Sequence, residues 1–247
     1  MFNLFRKKTT DTASLLPVQV DMHSHILPGI DDGAPDVETS LVLVRGLYDL
    51  GIRTCIATPH IIGDLYRNSD ETIEPALAKL RQACAAAAIP MQITAAAEYM
   101  LDDYFMELLQ GPARLRTLKH NLLLTELPYI AEPVNLPEML FHIITGGYQP
   151  VLAHPERYLY FHHNYEQYSW LKDQGFILQV NFLSLTGYYG KNVARAARYL
   201  LDKGLAGMVG TDLHHGRHLA ALQSAENQQL FRKYIKDTGL QNKELPA

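Results

Sequence analysis

The stretch VQVDMHSHILPGIDDG at residues 18–33 decides how the rest of the chain is read. It opens as an alternating β-run and ends in His23 and His25, two positions apart, so a strand would send both imidazoles to one side. Asp31 and Asp32 follow in the loop behind it, before Gly33. An apolar run that ends in imidazoles and carboxylates suggests a metal site at a strand end. That reading gains weight only if other runs end the same way.

Six further runs do have strand character: IRTCIAT (52–58), MQITAAAE (91–98), NLLLTEL (121–127), PVLAH (150–154), FILQVNF (176–182) and LAGMVGTD (205–212). Helical patterns fall between them, over about 36–50, 70–88, 102–110, 137–146, 164–174, 190–203 and 217–237. The first is set to begin at Asp36 as N-cap, with Glu38 in its first turn, and to stop before Gly51. Gly175 and Gly204 mark similar stops. Seven βα repeats without a Pro/Gly/Ser-rich linker predict an α/β fold with a parallel sheet in one domain, residues 18–240. A closed or nearly closed TIM-like barrel is the first expectation, and an open doubly wound sheet the second.

The other metal-binding side chains stand at the ends of these runs. His60 follows the second, Glu98 ends the third, Glu126 the fourth and His154 the fifth, while Asp212 and His214 close the seventh. In barrels of this architecture the C-terminal strand ends converge on the active site. A lone histidine is usually structural, but repetition in six of seven strands is not what scattered histidines would produce. Glu98 and Glu126 sit in apolar surroundings, where a carboxylate is costly unless paired or bound to a cation. Imidazole and carboxylate without thiolate suit Mn, Fe, Zn or Mg rather than a structural zinc. Eight or nine candidate ligands exceed one ion's needs, so two or three ions with bridging carboxylates are expected, a cluster suited to activating water and clamping a phosphoryl group.

Composition narrows the function classes. The chain of 247 residues is 47% hydrophobic, with a formal charge of −4. That leaves no basic footprint for nucleic acid. Two cysteines, Cys55 and Cys84, argue against a disulfide framework and for a reducing, cytoplasmic setting. No stretch reaches the roughly 18 apolar residues of a membrane span. Residues 1–17 form an expected flexible extension, in which Arg6, Lys7 and Lys8 could give a peripheral touch on the inner membrane.

Taken together, DMHSH, DDG, TPH, AEY, TELP, AHPER and TDLH resemble the polymerase-and-histidinol-phosphatase (PHP) superfamily, and within it the bacterial CpsB/YwqE-type protein-tyrosine phosphatases of capsule and exopolysaccharide synthesis. The likeness spans about residues 18–218. It implies a distorted (β/α)7 barrel with three metal ions, usually Mn or Fe, acting on phosphotyrosine in the C-terminal tail of a bacterial tyrosine kinase. Carried over residue by residue, it puts His23, His25, Glu98 and Asp212 on one ion; Glu98 bridges to a second with Glu126 and His154; Asp32, His60 and His214 hold the third. Asp31 becomes a supporting neighbour, and Arg157 and Arg217 the phosphate-gripping cations.

Two features depart from that pattern: the N-terminal extension, and the aromatic segment YLYFHHNY (158–165), read either as a phosphotyrosine-facing wall or as packing or a homo-oligomer contact. A cysteine-based phosphatase needs Cys and Arg flanking a five-residue loop, yet Ile61 and Pro90 stand six positions after Cys55 and Cys84. Three rivals remain: a small-molecule phosphatase of histidinol-phosphate type, a metal-dependent C–N hydrolase, and a weakly catalytic regulator of the polysaccharide assembly.

Overall fold

Parallel pairing dominates because helices carry the chain back to the other end of the sheet after most strands. The structure, a computed structural model, describes residues 15–235 and 239–245. Its strands are β1 (Val20–Asp21), β2 (Thr54–Ala57), β3 (His60–Ile62), β4 (Tyr66–Arg67), β5 (Gln92–Ala95), β6 (Glu98–Met100), β7 (Leu122–Glu126), β8 (Gln149–Ala153), β9 (Ile177–Asn181) and β10 (Ala206–Gly210). Its α-helices are α1 (Val37–Asp49), α2 (Asp70–Ala86), α3 (Asp103–Gln110), α4 (Leu136–Thr145), α5 (Glu166–Asp173), α6 (Lys191–Asp202), α7 (Gly216–Gln223) and α8 (Ala225–Tyr234). Among the described residues two sheets result, β1-β2-β5 and β10-β9-β8-β7-β6-β3-β4, and only the β3–β4 pair is antiparallel.

Two expected strands break in the middle. The run 52–58 stops at Ala57 and resumes as β3 at His60; the run 91–98 stops at Ala95 and resumes as β6 at Glu98. His60 and Glu98 therefore open short strands instead of closing long ones. Pro59 has no N–H to give a ladder, which favours an interruption there. Hydrogen bonds still cross the breaks: Ala96 N donates to Ala57 O at 2.8 Å and Glu98 N to Pro59 O at 3.1 Å. On the other flank Asp212 N donates to His23 O at 2.8 Å, and Ser24 bridges to Leu213.

Local signals explain most boundaries. Asp36 Oδ1 accepts from Thr39 N at 2.8 Å, capping α1 as anticipated. Gly175 (φ +107°) and Gly204 (φ +64°) take the left-handed conformation that ends α5 and α6. The helix expected over 217–237 is instead two helices, because Ser224 is extended (φ −61°, ψ 126°) in the N-cap position of α8, where serine is favoured. The expected end at 237 lies outside the described residues.

Helices pack on the sheets over a large cluster that includes Leu43, Leu47, Leu123, Leu152, Leu178 and Val209. A smaller cluster gathers Val20, Met22, Ile56, Leu124, Val151 and Met208 from strands of both sheets. Of the expected N-terminal extension, residues 1–14, with Arg6, Lys7 and Lys8, lie outside the described residues. Leu16 is buried, and its amide donates to Leu50 O at 2.8 Å. Among the described residues no helix is long and apolar enough to cross a membrane.

Candidate metal centre

All nine expected ligand residues fall into overlapping groups of neighbouring donor atoms, with Asp32 reaching in from the loop behind His25. His23 and His25 do converge: their Nε2 atoms lie 3.3 Å apart. Each ring is oriented by a partner on its far nitrogen. His25 Nδ1 meets Asp31 Oδ2 at 2.8 Å, and the same carboxylate accepts from Gly33 N and His60 N. Gly33 has to be glycine, since a Cβ would stand 2.0 Å from His25 O.

The tautomer of His23 follows from a chain of amides. Asp212 Oδ2 can only accept, so Asn181 Nδ2 donates to it at 2.7 Å. Asn181 Oδ1 then accepts from Gln179 Nε2 at 2.9 Å, which turns Gln179 Oε1 toward His23 Nδ1, also at 2.9 Å. In the neutral ring this puts the proton on Nδ1 and leaves Nε2 open to the centre.

Glu98 lies at the middle. Its Oε2 is 3.2 Å from His23 Nε2, 3.3 Å from His25 Nε2 and 3.2 Å from His60 Nδ1, and its Oε1 is 3.2 Å from His154 Nε2. Glu126 Oε1 approaches His60 Nδ1 at 3.0 Å. His60 and His214 each place Nε2 3.5 Å from Asp32 Oδ1. Four groups of potential ligands result: His25, Asp32, His60 and His214; His23, His154 and Asp212; His23, His25 and Glu98; His60, Glu98 and Glu126. His154 (φ +35°) and Asp212 (φ +50°) hold left-handed backbone, a strain that clusters at functional sites.

The donor set fits metal ions on a second ground. Both oxygens of Glu98, Oε1 of Glu126, and Nδ1 of His60 and His154 are buried without a hydrogen-bond partner. The nearest imidazole nitrogens face the carboxylates but are not aligned as donors. Buried carboxylate oxygens left this way are costly unless a cation joins them. Burial alone would raise Glu98 and Asp212, yet His23 and its neighbours hold both well below the usual carboxylate range. Burial alone would lower His23, but Glu98 and Asp212 lift it to about 9. For His154 burial and Arg157 act together and lower it, which favours the neutral, ligating ring.

This centre floors a cavity of about 290 Å³ whose walls include Tyr129, Arg157, Tyr189 and His218. Arg157 Nη1 donates to Asp212 Oδ2 at 2.8 Å, and its guanidinium stacks between Tyr129 and Tyr189, 5.0 and 4.5 Å from the ring centres. Arg217 does not join it. It is exposed on the first turn of α7, and His218, one residue on, faces the cavity instead. The aromatic segment 158–165 is not the cavity wall either. Tyr158 is buried and its hydroxyl donates to Ala153 O, Phe161 is buried, and Tyr160 bonds Pro128 O. The two wall tyrosines lie elsewhere, in TELPY and GYYG.

Sequence reasoning passed over Gln179 and Asn181. The signal was present: FILQVNF alternates amides with apolar residues in the one predicted strand that ends without a ligand. Gly210 was a second signal, because a Cβ there would meet His23 Cβ at 2.8 Å and Gln179 Nε2 at 3.0 Å.

Known proteins share this arrangement to different degrees. The tyrosine-protein phosphatase YwqE of Bacillus subtilis is 31% identical over 199 residues, 79% of this chain and 77% of its own. A crystal structure from work on YwqE of Bacillus subtilis and CpsB of Streptococcus pneumoniae, described as unique metal-dependent tyrosine phosphatases, has a TM-score of 0.75 at 27% identity. It covers 90% of this chain and 89% of that one. The lactonase Lmo2620 of Listeria monocytogenes shares the fold alone, with a TM-score of 0.53 at 13% identity over 95% of this chain and 96% of its own. The family model for capsular polysaccharide synthesis proteins, CpsB/CapC, matches residues 19–241, and the chain belongs to that family.

Proposed function

We propose that this chain is a metal-dependent protein-tyrosine phosphatase, hydrolysing phosphotyrosine on the C-terminal tail of a bacterial tyrosine kinase of capsule or exopolysaccharide assembly. One observation carries the reading: buried carboxylate oxygens without partners converge with imidazole nitrogens on the floor of a cavity that also holds a guanidinium. The relatives named tyrosine phosphatases support the substrate class.

In this reading three ions, most simply Mn, are held by His23, His25, Glu98 and Asp212; by Glu98, Glu126 and His154; and by Asp32, His60 and His214. Bound there, such ions lower the pKa of water and offset charge on phosphoryl oxygens. Gln179 and Asp31 hold the imidazoles of His23 and His25 with the correct nitrogen inward. Arg157 spends one nitrogen on Asp212 and keeps the others for the phosphate, while Tyr129 and Tyr189 fix its plane. Neither cysteine takes part, since both are buried and Cys55 is pushed well above the ordinary thiol range by burial and Asp21.

The same reading treats residues 18–240 as one cytoplasmic domain and the two sheets as one distorted (β/α)7 barrel. The hydrogen bonds across Ala57–Pro59 and Ala95–Glu98, the link from Ser24 to Leu213, and the cluster drawn from both sheets support that closure.

The test is phosphate release from a tyrosine-phosphorylated kinase-tail peptide and from histidinol phosphate, after chelation and after adding back Mn. Restored release favouring the peptide is expected. Preference for the small ester would move the chain to metabolite hydrolysis, and no release from either would refute the phosphatase reading.

A further inference from the structure

Outside the catalytic cavity, a wider concavity of about 690 Å³ runs along α6. Its charged lining is Lys191, Arg195 and Arg198 against the single carboxylate of Asp202, in a chain whose formal charge is −4. The three cations recur at spacings that place them on one stripe of the helix. The opposite stripe is the packing face, with Val193, Ala196, Ala197 and Leu200 buried.

Two of these cations are not consumed by the fold. Lys191 and Arg195 are exposed, and among the described residues neither has an ion-pair or hydrogen-bond partner. Arg198 is steadied by one bond to Leu185 O at 2.9 Å, and its Nε is buried without a partner. Tyr165 and Tyr199, with ring centres 4.7 Å apart, add an aromatic wall.

The groove also adjoins the catalytic cavity. Gly187 lines the groove and Tyr189 the cavity, so their Cα atoms are at most about 7 Å apart. From Lys191 the cationic stripe runs about 10 Å further to Arg198.

We propose that this groove is a docking subsite for an acidic segment of the same polypeptide whose phosphotyrosine enters the catalytic cavity. An extended chain advances about 3.3 Å per residue, which places the acidic residues roughly three to seven positions from the phosphotyrosine. The occupant is a polypeptide because the cations line a concave channel beside two paired, mutually tilted rings, a shape that receives side chains. A lipid surface would need them on a protruding face. The proposal rests on the phosphatase reading for its substrate, so binding is measured apart from turnover.

The experiment compares two phosphotyrosyl peptides, one with glutamates three to seven positions from the phosphotyrosine on both sides and one with glutamines there. For each, kcat/KM is divided by that for p-nitrophenyl phosphate. Wild-type protein is expected to favour the acidic peptide by about tenfold at low salt, through KM. Lys191→Glu/Arg195→Glu should abolish the preference, and Lys79→Glu, on α2, should leave it intact. The preference should also fade as salt screens the charges.

Fluorescence anisotropy of the dye-labelled acidic peptide, without phosphate, on chelator-treated protein reads the groove alone. Binding lost in the double variant upholds the groove even if p-nitrophenyl phosphate is not hydrolysed, a result that would refute only the phosphatase reading. Equal use of both peptides by the wild type would overturn the proposal. So would binding to phosphatidylglycerol vesicles that the double variant loses while peptide preference is absent.

Discussion

Asp21 and Glu98 are both fully buried carboxylates at the strand ends, and the fold treats them in opposite ways. Asp21 is satisfied from within: Thr211 N donates to Oδ1 at 2.9 Å and Thr211 Oγ1 to Oδ2 at 2.5 Å. Glu98 has two oxygens without a hydrogen-bond partner, ringed by four imidazoles. A carboxylate whose lone pairs are filled by the protein is a structural element. One whose lone pairs are left open among other donors is a ligand awaiting a cation. Glu156 falls between them, with Oε1 accepting from Asn181 N at 2.9 Å and Oε2 unpartnered.

The sharpest way to break this contrast is Glu98→Gln. Losing the central ligand should remove several kcal/mol of transition-state stabilisation, about a 10³-fold drop in turnover with Mn. Bound metal, counted by elemental analysis, should fall with it. In chelator near neutral pH the variant should also melt lower than wild type, since the imidazoles that hold Glu98 ionised lose their counter-charge. A large loss of metal-free stability with metal content unchanged would make Glu98 structural, like Asp21.

Glu156→Gln probes the intermediate case through pH. Burial raises the Glu156 carboxyl from 4.5 to about 7, with the nearby Ser184 hydroxyl and the hydrogen bond from Asn181 N opposing the rise. The folded state therefore holds a proton that the unfolded state has already released. Wild-type stability should fall as pH climbs from about 4.5 to about 7, and the cost persists above that range. The glutamine variant is neutral throughout, so denaturant titrations in chelator should find it more stable by about 2–3 kcal/mol at pH 8, with the gap closing below pH 4.5. A constant gap at all pH values would mean that packing, not the proton, sets the difference.

Asp21→Ala should behave as a structural lesion. It strands the amide and hydroxyl of Thr211, at a cost of about 1–3 kcal/mol in chemical denaturation, while metal stoichiometry in the folded fraction stays at the wild-type value. Metal loss without destabilisation would erase the distinction between the two carboxylates.

The parts of this centre that could be read from sequence are those encoded locally. His23 and His25 betray themselves by period two, and His154, Asp212 and His214 by their place after apolar runs. The α1 cap and the glycine stops are likewise short-range signals. What escaped depends on how distant segments meet. The breaks at Pro59 and Ala95–Ala97 arise where strands change pairing partners between sheets, which no window of residues shows. Arg217 has a basic residue's credentials, but the helical turn at Gly216 directs the next residue, His218, inward. The aromatic run 158–165 looks like a ligand wall because composition cannot distinguish a ring packed under a loop from one facing a cavity. Gln179 lies 156 residues from the histidine it orients, and an amide within a strand gives no hint of which imidazole it serves.

That long-range contact supplies the subtlest test. Gln179→Leu removes the acceptor for His23 Nδ1 yet keeps a side chain of similar size beside Gly210, so the fold should survive. Without the acceptor, His23 can move its proton to Nε2, the nitrogen that faces Glu98 and Asp212, and metal affinity should weaken by about tenfold, the low end for loss of an oriented imidazole. Gln179→Glu keeps an acceptor at the same place and should restore orientation. The decisive readout is the His23 tautomer, followed by two-bond nitrogen–proton correlation in chelator-treated protein above about pH 9, where the ring is neutral. Proton on Nδ1 in wild type and Gln179→Glu, but redistributed in Gln179→Leu, would show that β9 sets the ligand face of β1. An unchanged tautomer in Gln179→Leu would mean that the surrounding carboxylates orient His23 by themselves, and Gln179 would then rank with Asp21 as a filler of the interior.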